Sequence, residues 1–189
     1  MAMTQCEGFD AEEPVIEAIR AGDRHAFAEF MRLHSGWVRG VIFGVLGDSG
    51  AVDDAAQQAW TAVWRRIGEL RDTKRWRPWV YRLARNAAID AGRDATRRRS
   101  RAQALPPDLP AASGETPDAR MVGRERHGDV LAAIRSLPPL YREPFVMRHL
   151  NDWSYAEISE AMGMPVDSVE TRLVRARRLL RDFLKEKVF

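Results

Sequence analysis

Apolar residues recur along most of this chain at intervals of three and four, the spacing that places them on one face of a helix. Phe27, Phe30, Met31, Val38, Val41, Ile42 and Leu46 keep that period, and Gly47-Asp48-Ser49-Gly50 breaks it. Asp23 stands where a helix N-cap is wanted. Before it, Pro14 opens a short helix that ends near Gly22. A third helix is predicted from about Ala51 to Ile67, with Trp60 and Trp64 one turn apart. A polar loop from Gly68 to Lys74 follows. Pro78 then suits the first turn of a fourth helix that continues to about Arg99. No useful segment alternates with the period of a strand, and no internal repeat appears. The pattern predicts an all-α protein.

The pattern then lapses. Residues 104–117, ALPPDLPAASGETP, hold four Pro, one Gly and small polar residues. Such a stretch buries too little apolar surface to order itself, so a flexible linker is predicted over 101–117. It separates a helical domain over 14–100, preceded by a tail over 1–13, from a second helical domain over 118–189. In the second domain Pro138-Pro139 marks a break, and Pro144 should kink or shorten the helix that holds it.

The end of the chain carries the sharpest local signal. In SYAEISEAMGMPVDSVETRLVRARR, Ser154 and Glu157 have the spacing of a capping box. Ser159 is small enough for two helices to approach, and Gly163 suits a left-handed turn. Pro165 and Asp167 fit the start of the next helix. Val169, Leu173, Ala176 and Leu180 then form one buried stripe, leaving Thr171, Arg172, Arg175 and Arg178 on another side. Two helices around a tight turn, the second basic, is the pattern of a helix-turn-helix DNA reader.

Charge sharpens this picture. The net charge of +3 conceals a partition: residues 65–103 hold 13 basic and 4 acidic side chains, and residues 170–187 hold 7 and 3. Residues 1–60 hold 4 and 10, and residues 104–169 hold 6 and 10. Two basic blocks are two candidate footprints for nucleic acid. The acidic segments argue against uniform coating of DNA and leave surface for a protein partner. One cysteine, Cys6, excludes an internal disulfide and a Cys-based zinc site. His25, His34, His127 and His149 have no companions at ligand spacing, so no metal and no cofactor is expected. No small-molecule substrate is indicated. No apolar run approaches the ~20 residues of a membrane span, and no signal peptide is apparent, so no membrane insertion and a cytoplasmic location are expected. No nucleophile-base arrangement or phosphate loop points to an enzyme.

Taken in order, AFAEFMRLH, DDAAQQAWTAVW and WRPWVYRLARNAAID, followed by LPPLYREPFVMRHLNDWSYAEISEAMGMPVDSVETRLVRARRLLRDFL, resemble the extracytoplasmic-function sigma factors of bacterial RNA polymerase, within the sigma-70 family. The likeness covers about residues 14–100 and 118–185, the family's regions two and four, with no room for the regions that primary sigma factors add. It implies a promoter-specificity subunit that binds core RNA polymerase, recognises the minus-thirty-five and minus-ten elements and assists melting. It also implies an anti-sigma factor as a partner.

By this resemblance Asp53, Asp54, Gln57 and Gln58 match the surface for the clamp helices of polymerase. A catalytic carboxylate pair is a poor alternative, because consecutive helix residues point about 100° apart. Arg82, Arg85, Asn86, Arg93, Arg97 and Arg98 address the minus-ten strand, with Asn86 the first choice for a base edge and the arginines for phosphates. The loop Gly68 to Lys74 is the expected pocket for a flipped base. Trp76 joins this set as a stacking platform, core packing being its other reading; Trp79, on a face with Leu83 and Ala87, is assigned to the core, as are Trp37, Trp60, Trp64 and Trp153. Ser168, Thr171, Arg172, Arg175 and Arg178 form the minus-thirty-five set, with Arg172 and Arg175 suited to bidentate guanine contacts. Many family members carry a basic residue where this chain has Glu170, which puts the usual preference at that position in question.

Two rivals remain at this point. A solitary helix-turn-helix regulator needs no polymerase surface around Asp54. A protein-interaction adaptor has no reason to collect 13 basic residues within 65–103.

Overall fold

The computed structural model describes residues 12–48, 50–103 and 123–187, and every regular element among them is helical. The N-terminal block comprises α1 (Glu13–Arg20), α2 (Arg24–Leu46), α3 (Val52–Arg66) and α4 (Trp76–Gln103). Short 3-10 turns at Ile67–Glu69 and Thr73–Arg75 join α3 to α4. The C-terminal block comprises α5 (Gly123–Ser136), α6 (Pro139–His149), α7 (Tyr155–Met162) and α8 (Val166–Lys187).

Local chemistry explains the boundaries. The Asp23 carboxylate accepts from the backbone N–H groups of His25 and Ala26 and caps α2. Gly47 ends α2 with φ of 69°, and Gly163 ends α7 with φ of 65°, left-handed geometry that favours glycine. The capping box of α7 is complete: Glu157 N–H donates to Ser154 Oγ at 3.2 Å, and Ser154 N–H to Glu157 Oε2 at 2.7 Å. Ser159 Oγ donates to the Met164 carbonyl at 2.5 Å and ties the turn together.

Two expectations are corrected. The fourth helix runs through Gln103 rather than stopping near Arg99. Pro144 neither ends nor shortens α6, which continues to His149. The carbonyl that Pro144 leaves without its helical donor belongs to Leu140, an exposed residue of the first turn. Most of the linker expected over 101–117 lies outside the described residues.

The two blocks share one hydrophobic core. Ile16, Phe30, Val38, Ile42, Val63, Val80 and Ala84 fill the N-terminal block, and Met147, Trp153, Ile158, Val169 and Leu173 continue it into the C-terminal block. Helix α6 lies against α2, and α7 lies against α4. Glycine makes the first approach possible: a Cβ at Gly44 would stand 3.3 Å from Glu143 Cα, and one at Gly40 would collide with the Asn151 amide. Trp153 is wholly buried, its ring 5.4 Å from Trp37 and 6.0 Å from Tyr81, with the Arg77 guanidinium 4.7 Å above it.

Arg142 completes the join. Its Nε donates to the Gly44 carbonyl at 2.8 Å and its Nη2 to Val45 at 2.9 Å, while Nη1 donates to Arg135 and Leu137 at 2.9 and 3.1 Å. One guanidinium thus serves the carbonyl ends of α2 and α5, where the helix dipole favours a cation. Burial lowers the Arg142 pKa, and the adjacent Glu143 carboxylate opposes that shift.

Candidate nucleic-acid interface

Helix α4 presents two polar faces at its two ends. Near its start, Arg82, Arg85 and Asn86 line a cleft of 610 Å³ against Pro139, Leu140, Glu143, Gly163, Met164 and Arg172 of the C-terminal block. Further on, Asp94, Arg97, Arg98 and Arg101 line a groove of 520 Å³ with Asp54, Gln57 and Gln58 of α3. Asn86 and Arg97 are eleven residues apart, about 16 Å along the helix. The six residues expected to address one strand are therefore divided. Arg97 and Arg98 sit with the set expected to meet polymerase. Arg93 lies between, exposed and 3.5 Å from Asp90.

Asp53 is set apart from its neighbours. It is exposed and pairs with Arg39 of α2, while Asp54, Gln57 and Gln58 face the groove. The 100° step between Asp53 and Asp54 separates them, as expected.

Arg85 is already engaged. Its Nε donates to Glu143 Oε2 at 2.8 Å and its Nη2 to Oε1 at 3.4 Å. The Glu143 side chain is only 9% exposed and also accepts from the Tyr81 hydroxyl at 3.4 Å. The hydrogen bond to Glu143 raises the Arg85 pKa, against some desolvation. Burial, then the Glu143 charge, pushes the Tyr81 phenol up, so it stays neutral.

On α8, Ser168, Thr171, Arg172 and Arg175 line a shallow cleft of 310 Å³ with Leu140, Tyr141 and Asp167. Arg178 is exposed one turn beyond. The buried stripe is as expected: Val169, Leu173 and Ala176 are inside. At 100° per residue Glu170 points about 140° away from the centre of this cluster.

Trp76 is a correction. It is 4% exposed, with ring centroids 5.0 Å from Phe30, 4.6 Å from His34 and 6.1 Å from Trp37. It offers no face to a base, and its role is core packing. The segment expected as a base pocket folds back on the block: Leu70 and Thr73 are buried, and the Thr73 hydroxyl donates to Glu13 Oε1 at 2.9 Å.

Sequence reasoning missed the residues that close the two blocks together: Arg142, Glu143, Asn151, Gly40 and Gly44. One signal was available. Gly36, Gly40 and Gly44 recur every four residues on α2, and the last two face the C-terminal block. Among the described residues no group of three or more His, Cys, Asp or Glu is placed to hold a metal. No helix among them is long and apolar enough to cross a membrane.

Comparison with known proteins accords with this geometry. A family model for sigma-70 region 2 matches residues 30–98, and one for sigma-70 region 4 matches residues 127–180; together they cover most of the chain. The chain is 27% identical over 179 residues to the ECF RNA polymerase sigma factor SigW of Bacillus subtilis (strain 168), covering 90% of this chain and 95% of that one. In fold it is similar to CnrH, solved in complex with the cytosolic domain of CnrY, with a TM-score of 0.69, 22% identity and coverage of 94% and 99%. It is also similar to the sigma factor RpoE of Bartonella quintana, solved with the anti-sigma factor NepR, with a TM-score of 0.63, 17% identity and coverage of 84% and 96%.

Proposed function

We propose that this chain, which belongs to the extracytoplasmic-function group of the sigma-70 family, makes that family's polymerase and promoter contacts with the side chains its two basic helices and its α3–α4 groove bring together. The chain is a promoter-specificity subunit: it binds core RNA polymerase and directs it to promoter DNA. One observation favours this over a solitary regulator. Besides two basic faces, on α4 and α8, the chain carries a separate groove of carboxylate, amide and guanidinium groups that reading DNA does not require.

Asp54, Gln57 and Gln58 meet the polymerase clamp helices, with Asp53 at the margin. Arg97 and Arg98 share that groove and serve the polymerase contact or hold the phosphates leading into it. Arg82, Arg85 and Arg93 fix the minus-ten strand by its phosphates, and Asn86 reads a base edge. Ser168, Thr171, Arg172 and Arg175 enter the major groove of the minus-thirty-five element, with a bidentate Arg–guanine contact contributing ~1–3 kcal/mol of discrimination. Arg178 holds phosphate. The chain does no chemistry of its own and works in the cytoplasm alongside polymerase. The relative solved with an anti-sigma factor supports a partner of that kind here too.

The direct test is co-elution with core polymerase. Asp54→Ala combined with Gln57→Ala should lose binding at least tenfold with the helical circular dichroism unchanged, while Arg172→Ala with Arg175→Ala should retain it. If the natural chain ignores core polymerase and binds duplex alone, the solitary regulator is correct.

A further inference from the structure

The cleft beside the N-terminal half of α8 is not built by α8 alone. Leu140 and Tyr141, from the first turn of α6, line it together with Ser168, Thr171, Arg172 and Arg175. The Tyr141 ring is half-buried, and its hydroxyl has no hydrogen-bond partner among the described residues. The Tyr81 hydroxyl, by contrast, donates to Glu143 Oε2 at 3.4 Å. A phenol held by its ring with its hydroxyl unspent is a donor awaiting an acceptor.

The surroundings select an anionic acceptor. Asp167 is the one carboxylate on the lining, against the two guanidinium groups of Arg172 and Arg175. Neither guanidinium forms an ion pair among the described residues. The phenol also stands on fixed backbone. Tyr141 N–H donates to the Pro138 carbonyl at 2.9 Å. The next residue, Arg142, is bound to the carbonyls of Gly44, Val45, Arg135 and Leu137. Tyr141 is therefore held by an element other than the helix that reads bases.

We infer that Tyr141 is a further DNA contact of the minus-thirty-five reader: its hydroxyl donates to a backbone phosphate at the edge of the major groove that α8 enters. This rests on the proposed reading of α8. A phosphate contact from a second, rigid helix carries no sequence information, but it fixes the register and tilt at which Arg172 and Arg175 meet the bases.

Holoenzyme assembled from core polymerase and the full chain tests the inference. It is titrated into a labelled duplex spanning the strongest start site found by run-off sequencing on genomic DNA. Tyr141→Phe removes the hydroxyl and keeps the ring. It should weaken binding about tenfold, as the loss of one hydrogen bond to a charged acceptor does, with the melting temperature of the chain unchanged. Methylphosphonates placed singly along both strands then locate the acceptor. At one linkage near the minus-thirty-five element the replacement should cost the natural chain severalfold more than it costs Tyr141→Phe. Full binding by Tyr141→Phe overturns the inference, and so does a weakening that couples to no single linkage. Arg172→Ala with Arg175→Ala checks the underlying reading and should weaken binding more than Tyr141→Phe does. If that pair binds normally, α8 is not the reader and the inference falls with it. Absence of any start site that depends on the protein overturns the sigma assignment, and the inference with it.

Discussion

Arg82, Arg85 and Asn86 at one end of α4 border the C-terminal block, whereas Arg97, Arg98 and Arg101 at the other line a groove that block does not reach. Both ends belong to one basic helix, and composition does not tell them apart. What separates them is which side chains face them. At the first end a carboxylate 58 residues away takes the guanidinium of Arg85. At the second, the nearest acid on the helix is Asp94, one turn from Arg97 at 3.8 Å, and the facing groups are the amides and carboxylate of α3. Positive charge on a helix is therefore not the same as availability to DNA. Arg85 is held by Glu143, while Arg82 and Asn86 beside it are exposed, as are Arg97 and Arg98 further along.

The comparison breaks most completely at Trp153. This side chain is fully buried between the blocks, so Trp153→Ala should cost about 3–5 kcal/mol. Calorimetry should show the single unfolding transition split, with the C-terminal block melting first. A smaller and cleaner break is Gly44→Leu. The nearest atoms to its Cβ all belong to α6, so the overpacking of about 1–3 kcal/mol falls on the docking and leaves the N-terminal block folded. Small-angle scattering should report an expanded chain that still binds core polymerase.

Acid provides the mildest perturbation. His34 packs against Phe30 and Trp76, and burial lowers its pKa, with Glu12 at 3.1 Å opposing. Its folded value lies below its unfolded value. Above the unfolded value, about 6.5, the ring is neutral in both states and no penalty exists. As pH falls through that value the unfolded chain gains a proton that the folded chain resists, so stability declines. The decline levels off only below the folded value. His149, also shifted down by burial, adds to it. The melting temperature should be flat from pH 8 to 7 and drop below about pH 6.5, and His34→Leu should flatten part of that drop.

How much of this was legible beforehand follows the range of the interactions. The Ser154–Glu157 box, the Asp23 cap, the Gly163 turn and the Val169–Leu173–Ala176 stripe are each decided within a few residues, and all form as read. Pro144 does not end α6, which runs on to His149, and the carbonyl it leaves without a helical donor belongs to Leu140 in the first turn. Trp76 was undecidable locally: only the return of α2 brings Phe30, His34 and Trp37 around it. The pairing of Arg85 with Glu143 spans two blocks and an intervening segment outside the described residues, so charge partition announced two signs without announcing that they meet. The glycine spacing on α2 was the one mark of the closed seam, and it acquires meaning only when α6 is seen against it.

The central claim is that this chain directs polymerase to promoters with two readers. It is tested most directly by adding the purified protein to bacterial core RNA polymerase with genomic DNA and sequencing the 5′ ends of the run-off transcripts. Discrete start sites that appear only with the protein and share two upstream motifs are expected. Transcripts that do not depend on the protein, or start sites that share a single motif, would contradict it.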